Sequence, residues 1–247
     1  MKKILITAVV LVLGIGAVAY AMSEIKEPEP KTYSWRYKLT VEIDTPEGLK
    51  SGSAVREVSV VYTPKSSTRA KPHRKISIKG EAVVIDLGDQ RKVFSLLVGG
   101  RWGVDQPSRI FYDIFPVSFP AQSIEGLEYY SQLKDKKVVL DEDHYSSMVM
   151  FEDINDQMTV KRVYGRTRTT VDDQFEERFG KDYRIKQVII ETTDEEVTWK
   201  VAEIIPWVLQ LNDRLLDGRN VHTIDAENSL ANSLGKGSFT VGGNYGR

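Results

Sequence analysis

The chain has 247 residues, no cysteine, and 34 Lys and Arg against 35 Asp and Glu, which gives a formal charge of −1. This length accommodates one large domain or two small ones. The absence of cysteine excludes disulfides, thiolate metal sites, cysteine nucleophiles and a lipid-modified N-terminal cysteine. A near-neutral chain has no general attraction to polyanions, so we expect no nucleic-acid partner.

The first 22 residues form a leader. Lys2 and Lys3 precede an uncharged run, residues 4–22, which ends at a polar stretch. This arrangement predicts either a secretory signal cleaved after Ala21 or a transmembrane helix kept as an anchor. Because the lysines indicate that the short end stays in the cytoplasm, both alternatives export the rest of the chain. We therefore expect a periplasmic protein, or one held in the inner membrane through residues 4–22.

Residues 23–34 form a charged spacer with prolines, and residues 35–225 are predicted to form a single β-rich domain. Alternating large apolar and charged residues at its start are typical of half-buried strands. Five strands are predicted here, at residues 35–44, 54–62, 75–78, 82–87 and 92–98. Turn residues between consecutive strands predict that all five form one antiparallel meander.

The second half mixes short strands and helices. Strands are predicted at residues 148–151, 158–164, 183–192 and 197–205, the third with a β-bulge, and helices at 123–133, 172–179 and 206–216. Residues 107–120 are aromatic and contain prolines that prevent a long helix. The Asn-, Ser- and Gly-rich residues 226–247 predict a flexible tail. The expected fold is α+β and β-rich, with an antiparallel meander or sandwich-like N-terminal sheet and a few short helices, behind an N-terminal transmembrane or signal helix.

Three segments carry a resemblance to a known family: residues 35–48, Gly80-Glu81-Ala82-Val83-Val84-Ile85-Asp86-Leu87-Gly88, and Ile204-Ile205-Pro206-Trp207-Val208. With these landmarks the chain resembles an uncharacterised proteobacterial family of exported or membrane-anchored proteins. The resemblance covers most of residues 35–240. It implies one domain behind a membrane-proximal leader, and it assigns no functional residue because the family has no known activity.

Histidine occurs three times, at His73, His144 and His222. Only His144 follows an acidic run, and with Asp141 and Asp143 it forms a weak candidate metal or acid–base cluster. Neighbouring carboxylates on a strand point to alternate faces, whereas catalytic or metal-binding carboxylates must share one target. A solvated acidic loop is therefore the main alternative.

Other motifs lack the required spacing. Residues 153–157 supply oxygens for the start of a calcium loop, but Met158 stands where glycine is needed and Tyr164 where a bidentate Glu is needed. A turn between strands is the better interpretation. Ser131 and Lys134 match Ser-x-x-Lys, but the other elements of that active site are absent. We predict no catalytic residue and no cofactor.

Two basic segments contain no acidic residue. The first lies in a predicted loop, residues 64–75, and is a weak candidate for binding anionic headgroups or an acidic partner through Lys65, Arg69, Lys71, Arg74 and Lys75. The second contains Lys161, Arg162, Arg166 and Arg168. Solvated loop and strand-face charge is the favoured interpretation of both segments.

These features predict a cell-envelope protein that faces the periplasm and works as a non-enzymatic binding or assembly module. Its expected partners are the inner membrane, through residues 4–22, and another envelope protein. The alternative is a metal-dependent or acid–base hydrolase of an envelope polymer that uses Asp141, Asp143 and His144.

Overall fold

The computed structural model describes residues 29–66, 71–166 and 169–243. The predicted leader and the first part of the spacer lie outside the described residues. Contacts divide the chain into two compact units, Met1–Thr32 with Val61–Lys75, and Tyr33–Val60 with Ile76–Arg247. The described part of the first unit consists of strand ends and the segment next to them. The second unit contains the cores and cavities considered below.

Eleven strands are described: β1 Lys31–Thr45, β2 Gly48–Thr63, β3 His73–Glu81, β4 Val83–Gly88, β5 Arg91–Ser95, β6 Lys137–Val139, β7 Met148–Phe151, β8 Val160–Arg166, β9 Val171–Asp173, β10 Arg184–Thr192 and β11 Thr240–Val241. The α-helices are α1 Gln106–Ile114, α2 Ile124–Gln132, α3 Phe175–Phe179, α4 Val201–Ile204 and α5 Lys236–Phe239. Short 3-10 turns span Gly100–Asp105, Glu142–His144, Gln157–Thr159, Pro206–Gln210 and Ala231–Ser233.

The strands form two antiparallel sheets. The first has the order β11-β3-β2-β1-β10-β6, and the second has the order β4-β5-β7-β8-β9. The predicted α+β, β-rich class is confirmed. The predicted spacer extends too far, because β1 already begins at Lys31.

The predicted five-strand meander is wrong in its pairing, although all five strands occur. β1, β2 and β3 are neighbours in the first sheet, whereas β4 and β5 belong to the second. The chain changes sheets at Ala82, in a region we call the sheet crossover (residues 80–84 with Gly52). A Cβ atom on Gly52 would lie 2.0 Å from the Val84 carbonyl oxygen, so β2 passes directly against β4. Alternating polarity predicts strands, but it does not determine which strands pair.

The inner face of the first sheet packs against aromatic helices. In β1 the alternate residues from Tyr33 to Thr45 are buried, as the sequence pattern predicts. The Trp35 ring lies 5.7 Å from the rings of both Phe111 in α1 and Tyr130 in α2. Residues 107–120 contain all but the first residue of the nine-residue helix α1, despite their prolines. Pro107 sits in the first turn, where a backbone N–H has no helical partner to lose.

Several short elements of the second half match their predicted positions. β7, β8 and β10 correspond to the strands predicted at 148–151, 158–164 and 183–192, and the bulge in β10 is confirmed because the register with β1 skips Lys186. Ser123 caps α2 by accepting a hydrogen bond from the Gly126 N–H (3.1 Å). The helix predicted at 172–179 is shorter, since Asp172 and Asp173 lie in β9.

The C-terminal segment differs most from its prediction. The strand predicted at residues 197–205 is wrong: this stretch contains α4. The helix predicted at 206–216 is replaced by the 3-10 turn Pro206–Gln210. Residues after Asp225 do not form the predicted loose tail throughout, because Ala231, Leu234 and Phe239 are buried in one core with the second sheet. Short apolar runs fit a buried strand and a helical turn equally well, and contacts with the sheet decide between them.

Candidate functional site

The predicted acidic run folds as the 3-10 turn Glu142–His144. Asp141 caps it by accepting a hydrogen bond from the Asp143 N–H (3.1 Å), and its Oδ1 lies 2.6 Å from Nδ1 of His144. The His144 side chain is only 9% exposed. The His144 carbonyl oxygen accepts a hydrogen bond from Nε2 of Gln106 (2.7 Å), which joins the turn to α1.

The three weak candidate metal ligands do not converge. Asp141 meets His144, but Asp143 forms an ion pair with Arg166 of β8. Within the described parts of the chain, no group of three or more His, Asp or Glu side chains is arranged to hold a metal ion.

A second carboxylate faces the other nitrogen of His144. Oδ2 of Asp113 lies 3.6 Å from Nε2, and it accepts a hydrogen bond from Nε1 of Trp102 (2.7 Å). Nε2 itself is buried and has no hydrogen-bond partner among the described residues. Sequence reasoning missed Asp113 because it lies on α1, far from His144 along the chain, where no local spacing indicates the contact.

The chemistry open to His144 follows from these contacts. If Asp141 accepts the Nδ1 proton, the neutral imidazole keeps a lone pair on Nε2, the orientation that a general base requires. Since Nε2 is buried, a substrate cannot reach it in this arrangement. As described, the cluster of Asp113, Asp141 and His144 connects α1 to the 3-10 turn.

The first basic segment lies in the first compact unit. Lys65, Lys71, Arg74 and Lys75 are all exposed, while Arg69 lies outside the described residues. The predicted loop is too long at its end, because β3 begins at His73 and therefore includes Arg74 and Lys75. The extended backbone places these two successive side chains on opposite faces of the strand.

The second basic segment lines a polar surface cavity of about 540 Å³, which we call the basic groove. Lys161 and Arg162 reach it from β8, and Arg178 reaches it from α3. Arg166 does not join them, since it pairs with Asp143, and Arg168 lies outside the described residues. Arg178 was not part of the prediction, because it lies on another element.

The contacts that the cations of the basic groove make are exposed, and the two ion pairs among them are long. The Nζ atom of Lys161 is 3.6 Å from Glu152, and Nε of Arg162 is 4.0 Å from Asp172. Arg178 donates from Nη2 to the neutral Gln174 side chain (2.7 Å). Exposed ion pairs of this kind contribute about 0–1 kcal/mol. A stronger anionic partner can therefore replace these contacts at little cost.

The opposite wall of the basic groove is fixed by Asn228. Its amide nitrogen donates to the carbonyl oxygens of Met158 (2.8 Å) and Val160 (3.3 Å), and its amide oxygen accepts from the N–H groups of Leu230 and Ala231 (both 3.1 Å). Glu227 also lines the groove. The wall is thus held by hydrogen bonds to the start of β8, and the groove contains acidic as well as basic groups.

The sequence matches no protein-family model, and no similar protein was found among curated proteins or solved structures. In the part of the chain that the structure describes, none of the helices is long and apolar enough to cross a membrane. The predicted leader lies outside that part, so its role as an anchor or signal stays a prediction.

Proposed function

We propose that this protein is an exported, non-enzymatic binding module of the cell envelope, and that its basic groove binds an acidic segment of a protein partner. The observation that carries the proposal is the convergence of Lys161, Arg162 and Arg178 on one cavity from two separate elements. Its volume of about 540 Å³ lies within the usual range for binding pockets, roughly 300–1,000 Å³.

The charge pattern of the groove favours a protein segment over a uniform polyanion. Guanidinium groups bind carboxylates through paired hydrogen bonds. Asp172 and Glu227 line the same cavity and would repel a chain of closely spaced negative charges. A segment in which acidic side chains alternate with neutral ones matches this mixture.

The test uses the full-length protein in detergent and a fluorescent peptide of three Glu-Ser repeats. We expect saturable binding that weakens with salt and falls at least tenfold in the double variant Arg162→Gln, Arg178→Gln. Arg184→Gln is the matched control, because Arg184 pairs with Asp44 outside the groove (2.9 Å). Equal binding by the double variant, or tighter binding of polyphosphate than of the peptide, would overturn the proposal.

The proposed location rests on the leader. Residues 4–22 either anchor the chain in the inner membrane or are removed by cleavage after Ala21. We also propose that the N-terminal sheet behind this leader is sandwich-like. The intact mass of the mature protein separates the two alternatives. A protein that resists external protease in spheroplasts but is digested after lysis would contradict export.

The first basic segment supports an additional membrane contact. Lys71, Arg74 and Lys75 are exposed, and basic residues near an anionic bilayer contribute about 1 kcal/mol each. We expect full-length protein to bind anionic vesicles in a salt-sensitive way that Lys71→Glu with Arg74→Glu abolishes. Unchanged binding by that double variant would remove this surface from the proposal.

The hydrolase alternative rests on the unpartnered Nε2 of His144 beside Asp113. A metal-dependent enzyme predicts that zinc or calcium raises the melting temperature, and that His144→Gln and Asp113→Ala abolish the rise, because Asp113 is the carboxylate that faces Nε2. If the wild type responds to neither ion, the metal-dependent form of this alternative is excluded.

A further inference from the structure

A second cavity of about 330 Å³ lies at the sheet crossover and shares no residue with the basic groove. We call it the crossover pocket. Its walls come from both sheets and from α4. Thr40 of β1, Asp86 of β4 and Ile204 of α4 all line this one cavity.

Two features of the backbone build the crossover pocket. Glu81 is 2% exposed, and its carboxylate accepts hydrogen bonds from the N–H groups of Lys200 (2.8 Å) and Val201 (2.7 Å). These bonds fix the backbone of Lys200, one of the residues that line the cavity. The second feature is the close approach of β2 to β4, which requires Gly52 because any larger residue would collide with Val84 of β4. The cavity is therefore held by buried contacts on two sides.

One wall of the pocket is charged. Lys92 forms an ion pair with Asp86 (2.5 Å). The hydrogen bond from Lys92, a hydrogen bond from the Gly88 N–H, and the charge of Lys50 together lower the pKa of Asp86. Asp86 thus stays ionised, and the ammonium group of Lys92 balances its negative charge. Within the described residues, the Lys200 side chain forms no hydrogen bond or ion pair, so this ammonium group remains available to a ligand.

The remaining lining suits a hydroxylated molecule. Thr40, Ser51 and Ser53 also line the pocket, and each carries a hydroxyl group that can both donate and accept hydrogen bonds. Val84 and Ile204 supply an apolar surface, which can cover the C–H face of a sugar ring. The volume is at the small end of the range for ligand pockets, about 300–1,000 Å³.

We propose that the crossover pocket binds a monosaccharide-sized sugar acid, with its carboxylate at Lys200 and its hydroxyl groups at Thr40, Ser51 and Ser53. Val84 and Ile204 then cover the C–H face of the sugar ring, while Asp86 stays paired with Lys92. The proposal goes beyond the function assigned to the basic groove, and either can fail without the other.

Titration calorimetry of the full-length protein tests this site with three probes. Glucuronate carries hydroxyl groups as well as a carboxylate. Glucose lacks the negative charge of the carboxylate, and inorganic phosphate lacks the sugar ring. We expect glucuronate to bind at least tenfold more tightly than either of the others. Lys200→Met should weaken glucuronate binding at least tenfold and leave the melting temperature unchanged, because the backbone N–H that bonds to Glu81 is kept.

Lys161→Met is the matched control, since Lys161 lines the basic groove and not the crossover pocket. It should leave glucuronate binding intact, just as Lys200→Met should leave binding of the Glu-Ser peptide intact. Unchanged glucuronate binding in Lys200→Met would overturn the proposal. So would equal binding of phosphate and glucuronate, or no binding of any of the three probes.

Discussion

The sheet crossover and the basic groove hold charged residues in contrasting ways. At the crossover, Glu81 is buried and uses its carboxylate to bind two backbone N–H groups. In the groove, Lys161 and Arg162 are 38% and 41% exposed and make ion pairs of 3.6 and 4.0 Å. Removing the partner of a buried polar group costs the fold much stability, whereas breaking an exposed ion pair costs it little. Substitutions at the crossover should therefore reduce stability, and substitutions in the groove should reduce binding.

The largest effect is expected for Glu81→Ala. It leaves the buried N–H of Val201 and the half-buried N–H of Lys200 without their acceptor, at roughly 1–3 kcal/mol for a fully buried group. We expect urea denaturation to show a loss of about 3 kcal/mol in the free energy of unfolding. The matched control is Glu195→Ala, whose carboxylate is 57% exposed and pairs with Lys38 (2.9 Å). If both variants lost the same stability, burial would not explain the role of Glu81.

Gly52→Ala should have the next largest effect. Its Cβ atom would meet the Val84 carbonyl oxygen at 2.0 Å, so β2 and β4 must separate. Overpacking of this kind costs about 1–3 kcal/mol. Thermal unfolding should show the loss, while Gly237→Ala, with only one side-chain atom at 4.0 Å, should remain close to wild type. A stable Gly52→Ala protein would show that the strands do not need this close approach.

A smaller effect concerns Tyr164, in the same strand as Arg162. Burial, followed by the nearby Glu142 charge, raises the pKa of Tyr164 to about 12. Because the folded state then keeps a proton that the unfolded chain loses near pH 10, the stabilising contribution is complete below pH 10 and is lost as the pH rises toward 12.

Tyr164→Phe removes this titration and a buried hydroxyl that has no hydrogen-bond partner among the described residues. We expect stability at pH 8 to stay within about 1 kcal/mol of wild type. The decline in stability between pH 10 and 12 should become shallower. The free energy of unfolding is measured by chemical denaturation at several pH values. If it declined as steeply with pH in Tyr164→Phe as in wild type, a group other than Tyr164 would be responsible for the decline.

The smallest stability effect is expected in the basic groove. Arg162→Gln with Arg178→Gln removes only exposed contacts, so the free energy of unfolding should change by less than about 1 kcal/mol. Differential scanning calorimetry checks this value. A loss comparable to that of Glu81→Ala would mean that these arginines support the fold, and it would undermine the contrast with the crossover.

Local patterns predicted the strands well where polar and apolar residues alternate. β1 and β10 follow such patterns, including the bulge at Lys186. The division into two sheets was not predictable in the same way, because it depends on Gly52 meeting Val84 from another strand. The C-terminal segment was predicted least well, since contacts of Phe239 and its neighbours with the second sheet determine its structure.

The candidate sites show the same limit. Lys161 and Arg162 are adjacent in the sequence, so their basic segment could be recognised, but Arg178 joins them only in the fold. His144 and Asp141 were recognised together, whereas Asp113 was not, because α1 brings it from a distant part of the chain. Charge runs in a sequence thus predict part of a site, and tertiary contacts complete it.

The most direct test of the central claim is the dissociation constant of the Glu-Ser peptide, measured by fluorescence anisotropy at one salt concentration. Wild type and Arg184→Gln should bind alike, and Arg162→Gln with Arg178→Gln should bind at least tenfold more weakly. This loss should occur without a loss of stability. Equal affinity for all three proteins would contradict the assignment of the basic groove as the binding surface.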